Sequence, residues 1–353
     1  MLPGKNYLHK MIHHMVCLIH RKNKNATIRV QEFMIYNLFK GKIIRNITIE
    51  TLDPFGHSIS DTLAKPRNWA ESTGNKIHIS TNRATINGLL LIEENMPLDP
   101  LLVRESERLI RSQPYIRSAL ITVENTEAGI RSDSVDVNVR VLDSWSITPV
   151  GAFSGTQTTI GLRERNFVGT GHEVRFRFSR RFDIGNNAYD ASYTIPNLRN
   201  TFIRTYVGYR RYLDDSYYKG VNIERNFYSP VTRWAGGIYV DQQFRKDLFP
   251  DRDFEMSIES LKYNTYDFWG GHSFKLFEGG SDNDRTTNLI TSARMLNVDF
   301  REKPPAAYDE ANFFASETFY MGSIGIASRQ YVKDEYIFNY GFVEDVPVGT
   351  VYG

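Results

Sequence analysis

A single cysteine, Cys17, in 353 residues excludes an internal disulfide framework. No stretch approaches the roughly 20 consecutive apolar residues that a membrane helix needs. Any entry of this chain into a bilayer would therefore be as a closed sheet. Charge of one sign is missing too: 43 Lys and Arg stand against 41 Asp and Glu, which removes any global argument for nucleic acid or for an acidic partner. Catalytic signatures are absent, with no Gly-x-Ser-x-Gly elbow, no phosphate-cradling glycine loop before a helix and no His-Glu-x-x-His. Asp214-Asp215 and Asp251-Arg252-Asp253 sit beside turn residues, where solvated loop tips are the ordinary reading and calcium or acid–base work the rival one. His172, Ser179 and Asp183 are near one another in sequence, but strand spacing does not by itself bring them together, and a lipase would need that trio in register.

What the chain does have is aromatic residues, 13% of the total with 20 Tyr and 22 Phe, and long two-residue alternation. Tyrosine in that number suits interfacial girdles, although soluble β-rich proteins also use it. Val135, Val137, Val139 and Val141 alternate with Asp136, Asn138 and Arg140, the period of a half-buried strand. Beyond Trp145, Phe176 and Phe178 alternate with Arg175 and Arg177, and Leu296, Val298 and Phe300 with Asn297, Asp299 and Arg301. Trp145 divides a mixed α/β module from an aromatic-rich all-β region.

In chain order, residues 1–41 read as a leader or linker. Within it, residues 11–19 form a poor export signal, because two histidines interrupt the apolar run and no small-residue cleavage site follows. His9, His13, His14 and His20 include a helical i, i+4 pair that could ligate a metal, without accompanying acidic or cysteine ligands. Residues 42–143 read as one domain. Its first strand covers residues 43–50, with Ile43, Arg45, Ile47 and Ile49 on one face, and ends at the turn Asp53-Pro54-Phe55-Gly56. Residues 57–78 read as an inserted loop. Thr81 caps a short helix; Asp99 then caps a second, with Pro100 at its first position and Leu98, Leu102, Leu109 and Ile110 near one face. Ala119, Ile121 and Val123 define a second strand and residues 134–142 a third.

From residue 144 onward, turn signals separate candidate strands at 147–153, 171–182, 188–195, 201–213, 218–225, 233–243, 254–263, 273–276, 289–301, 313–329 and 335–342. Arg225-Asn226-Phe227-Tyr228 partly repeats Arg165-Asn166-Phe167-Val168, which reads as recurrent hairpin chemistry. A soluble β-sandwich or propeller is the rival architecture, since alternation alone does not distinguish lipid from protein core.

The segment Arg165-Asn166-Phe167-Val168-Gly169-Thr170-Gly171, after the turn-rich Gly161-Leu162-Arg163-Glu164, resembles the first barrel hairpin of the outer-membrane assembly factors, the superfamily containing BamA, TamA and the two-partner secretion pores. The strand–helix–helix–strand–strand order before it resembles that family's POTRA domain, and LIRSQPYIRSALITV its second helix running into its second strand. The resemblance implies an α+β POTRA-like module (β-α-α-β-β) followed by an antiparallel all-β transmembrane barrel of the bacterial surface antigen type, residues 144–353 being its N-terminal part.

It further implies an outer-membrane location with the module in the periplasm. The implied function is reception of unfolded outer-membrane proteins and their assembly into the membrane, without enzyme activity, cofactor or metal; periplasmic chaperones or accessory lipoproteins are possible further partners. In that family the second strand is a sheet edge, so Ala119, Leu120, Ile121, Thr122 and Val123 become the client-binding edge. The first barrel strand, Ser146, Ile147, Thr148, Pro149, Val150, Gly151, Ala152 and Phe153, becomes one side of a lateral gate, where Pro149 lacks an N–H and weakens one rung. Arg165, Asn166, Phe167, Gly169 and Gly171 carry the hairpin motif. Two family features have no match: the Val/Ile-Arg-Gly-Phe/Tyr lid-loop motif, and a closing strand in Val346-Pro347-Val348-Gly349-Thr350-Val351-Tyr352-Gly353. With ten or eleven candidate strands against the family's about 16, the expectation is a fragment truncated at both ends. A dedicated secretion pore and a soluble β-rich binding protein are the alternatives.

Overall fold

The computed structural model describes residues 35–61, 63–126, 133–250, 255–309, 311–335 and 343–353. His9, His13, His14, His20, Cys17 and the candidate signal lie outside the described residues, as do Asp251, Arg252 and Asp253.

The first unit is a three-stranded sheet with helices. β1 (Ile43–Leu52), α1 (Trp69–Ile77), α2 (Arg83–Asn87), α3 (Pro100–Arg111), β2 (Ile116–Asn125) and β3 (Ser134–Asp143) follow one another. β3 is central, parallel to β1 and antiparallel to β2. Val135, Val137, Val139 and Val141 all lie in the core, with Ile121, Ile110 and Val103 packed among them. Here the two-residue period of β3 meets the apolar side of α3, and burial of both is the driving force.

Three local expectations change. A bulge between Ile44 and Asn46 shifts the register of β1, so Ile44 and not Ile43 enters the core. The loop predicted over 57–78 contains α1, closed by a reciprocal cap in which the Glu71 N–H donates to Asn68 Oδ1 (2.9 Å) and the Arg67 N–H to Glu71 Oε2 (2.6 Å). Thr81 does not cap α2, because its N–H and hydroxyl both donate to the buried Asp143 carboxylate (2.8 Å each). Asp99 does cap α3, accepting from the Leu101 N–H at 3.0 Å.

The second unit is an eleven-stranded antiparallel meander, in the order β14 to β4. Its strands are β4 (Ile147–Phe153), β5 (Gln157–Phe167), β6 (His172–Arg181), β7 (Asn187–Ile195), β8 (Arg204–Arg211), β9 (Tyr217–Arg225), β10 (Trp234–Pro250), β11 (Met256–Lys275), β12 (Thr287–Glu302), β13 (Glu317–Glu335) and β14 (Val343–Tyr352). Among the described residues β4 and β14 do not pair, so the sheet has two open edges.

The stretch Gly161 to Glu164, read as turn-rich, lies inside β5. Gly161 is there for close approach, since a Cβ would sit 2.7 Å from the Phe176 carbonyl oxygen. β11 is continuous where two short strands are predicted, because Gly270 and Gly271 face Gly236 and Ala235 across the ladder instead of breaking it. The terminal residues, predicted to form no strand, form β14, with Pro347 opposite Tyr331 and Gly349 opposite Arg329. The strand predicted over 335–342 falls outside the described residues except for Glu335, the last residue of β13.

The two faces of this sheet are inside-out. Val174, Tyr193, Val207, Val221, Val240 and Tyr266 occupy one register row and Arg177, Asp190, Arg210, Tyr218 and Gln243 a row of the opposite face. The apolar face is the exposed one: Phe176 is 49%, Val207 49% and Ile324 64% accessible, whereas Asp241 and Asp267 on the other face are 3% and 7%. The polar face is laced together by Arg163–Glu173 (2.8 Å), Arg210–Asp190 (3.2 Å), Arg294–Asp267 and Tyr239–Asp241 (2.7 Å). On that face Tyr218 folds over Gly220, where a Cβ would lie 2.4 Å from the phenol oxygen. Gly220→Val is expected to lower the denaturant midpoint of the sheet, and adding Tyr218→Ala to recover part of the loss; a double-mutant cycle followed by urea titration reads both.

Candidate functional site

The two units meet along one end of the meander. Among the described residues the β5/β6, β7/β8, β9/β10 and β11/β12 turns lie at this end and each contributes a contact to the module, as do Lys333 of β13 and Asp345 of β14. The β5/β6 turn is the sequence motif. Asn166, 1% exposed, donates to Thr81 Oγ1 (3.0 Å) and accepts from the Gly171 N–H (2.8 Å). Thr81 continues to Asp143, which also holds His78 Nε2 at 2.9 Å. Gly169 accepts from the Asn82 N–H (2.8 Å) and from Thr85 Oγ1 (3.1 Å). Its φ is +73°, and a Cβ would stand 2.5 Å from the Ser80 carbonyl oxygen. Gly171, at φ +71°, lies against the Tyr115 phenol; burial, and then the Asp143 carboxylate, push that phenol above its ordinary pKa. The motif thus joins hairpin to module. Arg165 N–H closes onto the Ser146 carbonyl (3.2 Å), while Phe167 is half exposed on the apolar face. The partial repeat at Arg225-Asn226-Phe227-Tyr228 is also a module-side turn: the Tyr228 carbonyl accepts from Arg108 at 2.6 Å. Asn197 in the β7/β8 turn donates to the Gly88 carbonyl (2.7 Å).

Helix α3 crosses the same end and is buried on nearly every side, its charged residues included. Asp99 is forked by Arg285 (2.8 and 2.5 Å), Arg104 pairs with Asp282, and Glu105 accepts from Ser229 Oγ (2.9 Å). Arg108 stacks over the Tyr331 ring, 4.0 Å from its centre. Arg111 forks onto Asp345 (3.0 and 2.7 Å). Glu107 binds Arg111 through one oxygen, which also takes Lys333 at 2.6 Å.

The other oxygen of Glu107 faces the edge strand. It accepts from the Ile121 N–H (3.3 Å), and the single Tyr36 O–H is shared between it (3.1 Å) and, more closely, the Ile121 carbonyl (2.6 Å). β2 is the outer strand of its sheet, and Ala119, Ile121 and Val123 are buried while Leu120 and Thr122 are not. The edge is nevertheless closed at Ile121, whose outward N–H and C=O are both occupied by side chains; the Ala119 carbonyl also lies 3.5 Å from Arg111 Nη1. An expectation of open backbone groups at 119–123 is therefore corrected at its centre. Sequence reasoning missed Tyr36, Glu107, Arg111, Lys333 and Asp345. Only the Glu107–Arg111 spacing of four was visible on a helix, and nothing local distinguishes it from a solvated pair.

The first strand of the meander is an open edge. Because the Ser146 carbonyl faces β5, alternation turns the backbone groups of Thr148, Val150 and Ala152 toward β5 and those of Ile147, Pro149, Gly151 and Phe153 outward. Pro149 thus leaves a missing donor on the open side. Pro347 lies in the other edge strand, opposite Tyr331. His172, Ser179 and Asp183 do not converge: their partners are Tyr193, Thr159 and Arg181. Asp214 and Asp215 serve a loop tip, with Ser216 and Arg211 as partners. Among the described residues no group of three His, Cys, Asp or Glu could hold a metal ion, and no helix is long and apolar enough to cross a membrane.

No family model and no curated protein matches the chain. Among solved structures it is similar to BamA of Haemophilus ducreyi lacking POTRA domains 1–3, at 11% identity and a TM-score of 0.37, over 82% of this chain and 68% of that one. It is similar to CdiB of Acinetobacter baumannii (9%, TM-score 0.40, 83% of this chain and 50% of that one). It is also similar to CdiB of Escherichia coli (12%, TM-score 0.35, 84% and 52%), so it spans about half the length of either CdiB chain.

Two outcomes follow from the contacts. Asn166→Ala strips Thr81 and the Gly171 N–H of a buried partner, at a cost of about 1–3 kcal/mol, and should speed proteolytic separation of the two units in a timed digest. Burial alone would raise the Glu107 carboxyl, but Arg111 and Lys333 outweigh it and hold it below its ordinary value of 4.5; Asp99 is held down by Arg285 against burial in the same way. A depressed carboxylate contributes stability that is complete above its ordinary pKa and lost as pH falls through the depressed one. Docking of the units should accordingly hold from pH 8 to pH 5 and weaken only below about 4.5, as followed by the same digest with an acid-active protease.

Proposed function

We propose that the chain is part of an outer-membrane insertase or translocator, with the mixed module in the periplasm and the meander in lipid. The observation that carries this reading is the inverted sheet across β6 to β11, with apolar side chains on the exposed face and, on the other, ion pairs and hydrogen bonds whose carboxylates are buried. A water-soluble sandwich buries the opposite face, and an aromatic, aliphatic surface of this extent is what a bilayer requires. On β10 the exposed face runs Trp234, Gly236, Ile238, Val240, Gln242, Phe244. That stretch is about 34 Å along a strand and about 26 Å along a barrel axis at the usual tilt, close to the height of an outer-membrane apolar band. Trp234 clusters with His272 and Phe274 at one end and Phe244 with Tyr217 at the other, as interfacial aromatics do.

The working chemistry is backbone pairing. A strand entering lipid must satisfy every N–H and C=O group, and the outward edge of β4 offers a template for it. The family resemblance adds the clients, unfolded outer-membrane proteins, with chaperones or accessory lipoproteins as further partners. It also adds β2 as the receiving strand, which in this resting arrangement is held shut. Secretion of one dedicated passenger is the second reading within transport. Depletion separates the two: loss of a general assembly factor lowers many outer-membrane proteins, and loss of a dedicated pore only one.

The membrane assignment is tested by folding the chain into lipid vesicles. Val240→Arg, near the middle of the apolar band, should destabilise the inserted form by about 2–4 kcal/mol, while Thr265→Lys, on the polar face beside Asp241, should be tolerated; urea titration in vesicles measures both. Equal tolerance of the two, with a chain that stays soluble without detergent, would favour a soluble β-rich binding protein.

A further inference from the structure

The Glu107 carboxylate divides its two oxygens between two different elements. Oε2 takes the Ile121 N–H and the Tyr36 hydroxyl, and so fills one rung of the β2 edge. Oε1 takes Arg111 and Lys333, and Arg111 in turn forks onto Asp345. Lys333 belongs to β13 and Asp345 to β14. One side chain, 1% exposed, therefore holds both the edge of the module and the outermost hairpin of the meander.

A strand that pairs with β2 would present a C=O to the Ile121 N–H and an N–H to the Ile121 C=O. Those places are filled by Glu107 and Tyr36, which together imitate one residue of an added strand. Both are buried, Tyr36 at 4% exposure, so there is no room to turn aside within the present packing. Pairing at Ile121 requires α3 to move away from β2. Movement of α3 carries Arg108 off Tyr331 and Arg111 off Asp345.

We infer that Tyr36, Glu107, Arg111, Lys333 and Asp345 form a latch in which an extended polypeptide segment bound along Ala119–Val123 and the docked β13–β14 hairpin exclude one another. Capture of a segment at β2 loosens the hairpin, and release of the hairpin opens β2, because a coupling between two binding events is reciprocal. This rests on the proposed reading only for the identity of the segment as an unfolded client. Both ends of the latch lie within the chain.

Hydrogen exchange of the full chain in detergent micelles tests it. Lys333→Met with Asp345→Asn removes the hairpin's contacts to Glu107 and Arg111, and should speed exchange of the Ile121 amide by on the order of fivefold or more. Tyr36→Phe removes an edge contact and should speed exchange across residues 343–352. Purely local changes in both variants would overturn the latch. Protection of Val135 to Val141 reports whether the module still folds. Should either variant lose it, the unmodified chain is titrated with a synthetic alternating Thr-Val peptide. Faster exchange in residues 343–352 as the peptide protects residues 118–124 supports the latch; peptide protection with the hairpin unchanged, or no protection at any peptide concentration, overturns it. A chain that fails to enter vesicles but shows the coupled exchange would sink the membrane reading and leave the latch standing.

Discussion

Backbone N–H and C=O groups that face an apolar surrounding have to be paired, and the architecture of this chain is arranged around where that pairing stops. In the large sheet each interior strand gives both sides to neighbours, so ten ladders absorb nearly all of its polar backbone. Pairing stops at β4, at β14 and at the two outer strands of the small sheet, β1 and β2, of which β1 is covered at its start by residues 95–98. The other three edges are modified by their side chains. β4 carries Pro149 on its outward side, β14 carries Pro347, and β2 has its central rung filled by Glu107 and Tyr36. Proline and inward charge are the ordinary means by which edges avoid indiscriminate pairing. An edge blunted at one rung is still a template along the rest of its length.

The buried charges of α3 follow from the same constraint. Amphipathic reasoning assigns Leu98, Leu102, Leu109 and Ile110 to the core and leaves Glu105, Glu107, Arg108 and Arg111 for water. In the folded chain the meander covers that second side, and desolvation would be prohibitive unless every charge found a partner. Each does: Ser229 and Arg108 for Glu105, Lys333 for Glu107, Asp345 for Arg111. Such pairs contribute little net stability over an apolar contact, but leaving one half alone is costly. Their consequence is specificity of docking. The module can sit on this end of the sheet in one orientation, since a small displacement strands several ions at once.

This explains which features could be read in the sequence. Strand alternation in residues 134–142, the Asp99-Pro100 start of α3 and most strands of the meander depend on neighbours in the chain, and periodicity reports them. β5 was hidden because Gly161 reads as a turn residue when it is there to admit the Phe176 carbonyl. β14 was hidden because Pro347 and Gly349 argue against a strand unless the strand is known to be an edge. α1 was legible in principle from Asn68 and Glu71 and was obscured by the polar stretch around it. The hairpin motif was legible as a motif, but its partners Thr81, Asp143 and Tyr115 come from three elements of another unit. The candidate site at Ile121 was half legible: which strand is the edge follows from element order, and what closes it depends on residues 36, 107, 333 and 345, which only folding brings together.

The face inversion in the meander and the closed edge in the module are two answers to one problem. A sheet whose exposed side is apolar gains nothing from water, so its polar side chains turn inward and pair, and its stability comes to rest on ladders and on Arg–carboxylate contacts such as Arg294–Asp267. A strand able to join such a sheet must arrive extended and unpaired, and an unpaired strand meets the module-side end first if it comes from the side on which the module lies. There it finds the β2 edge, whose hydrogen-bonding groups are in use by a carboxylate and a phenol, not by another backbone. An incoming backbone replaces the two bonds at Ile121 in kind, but it displaces α3 and so also breaks the ion pairs that α3 makes to β13 and β14. A closure made from side chains thus ties acceptance of a strand at β2 to release of the β13–β14 contacts, and that linkage is what lets an edge remain protected at rest and still accept a strand.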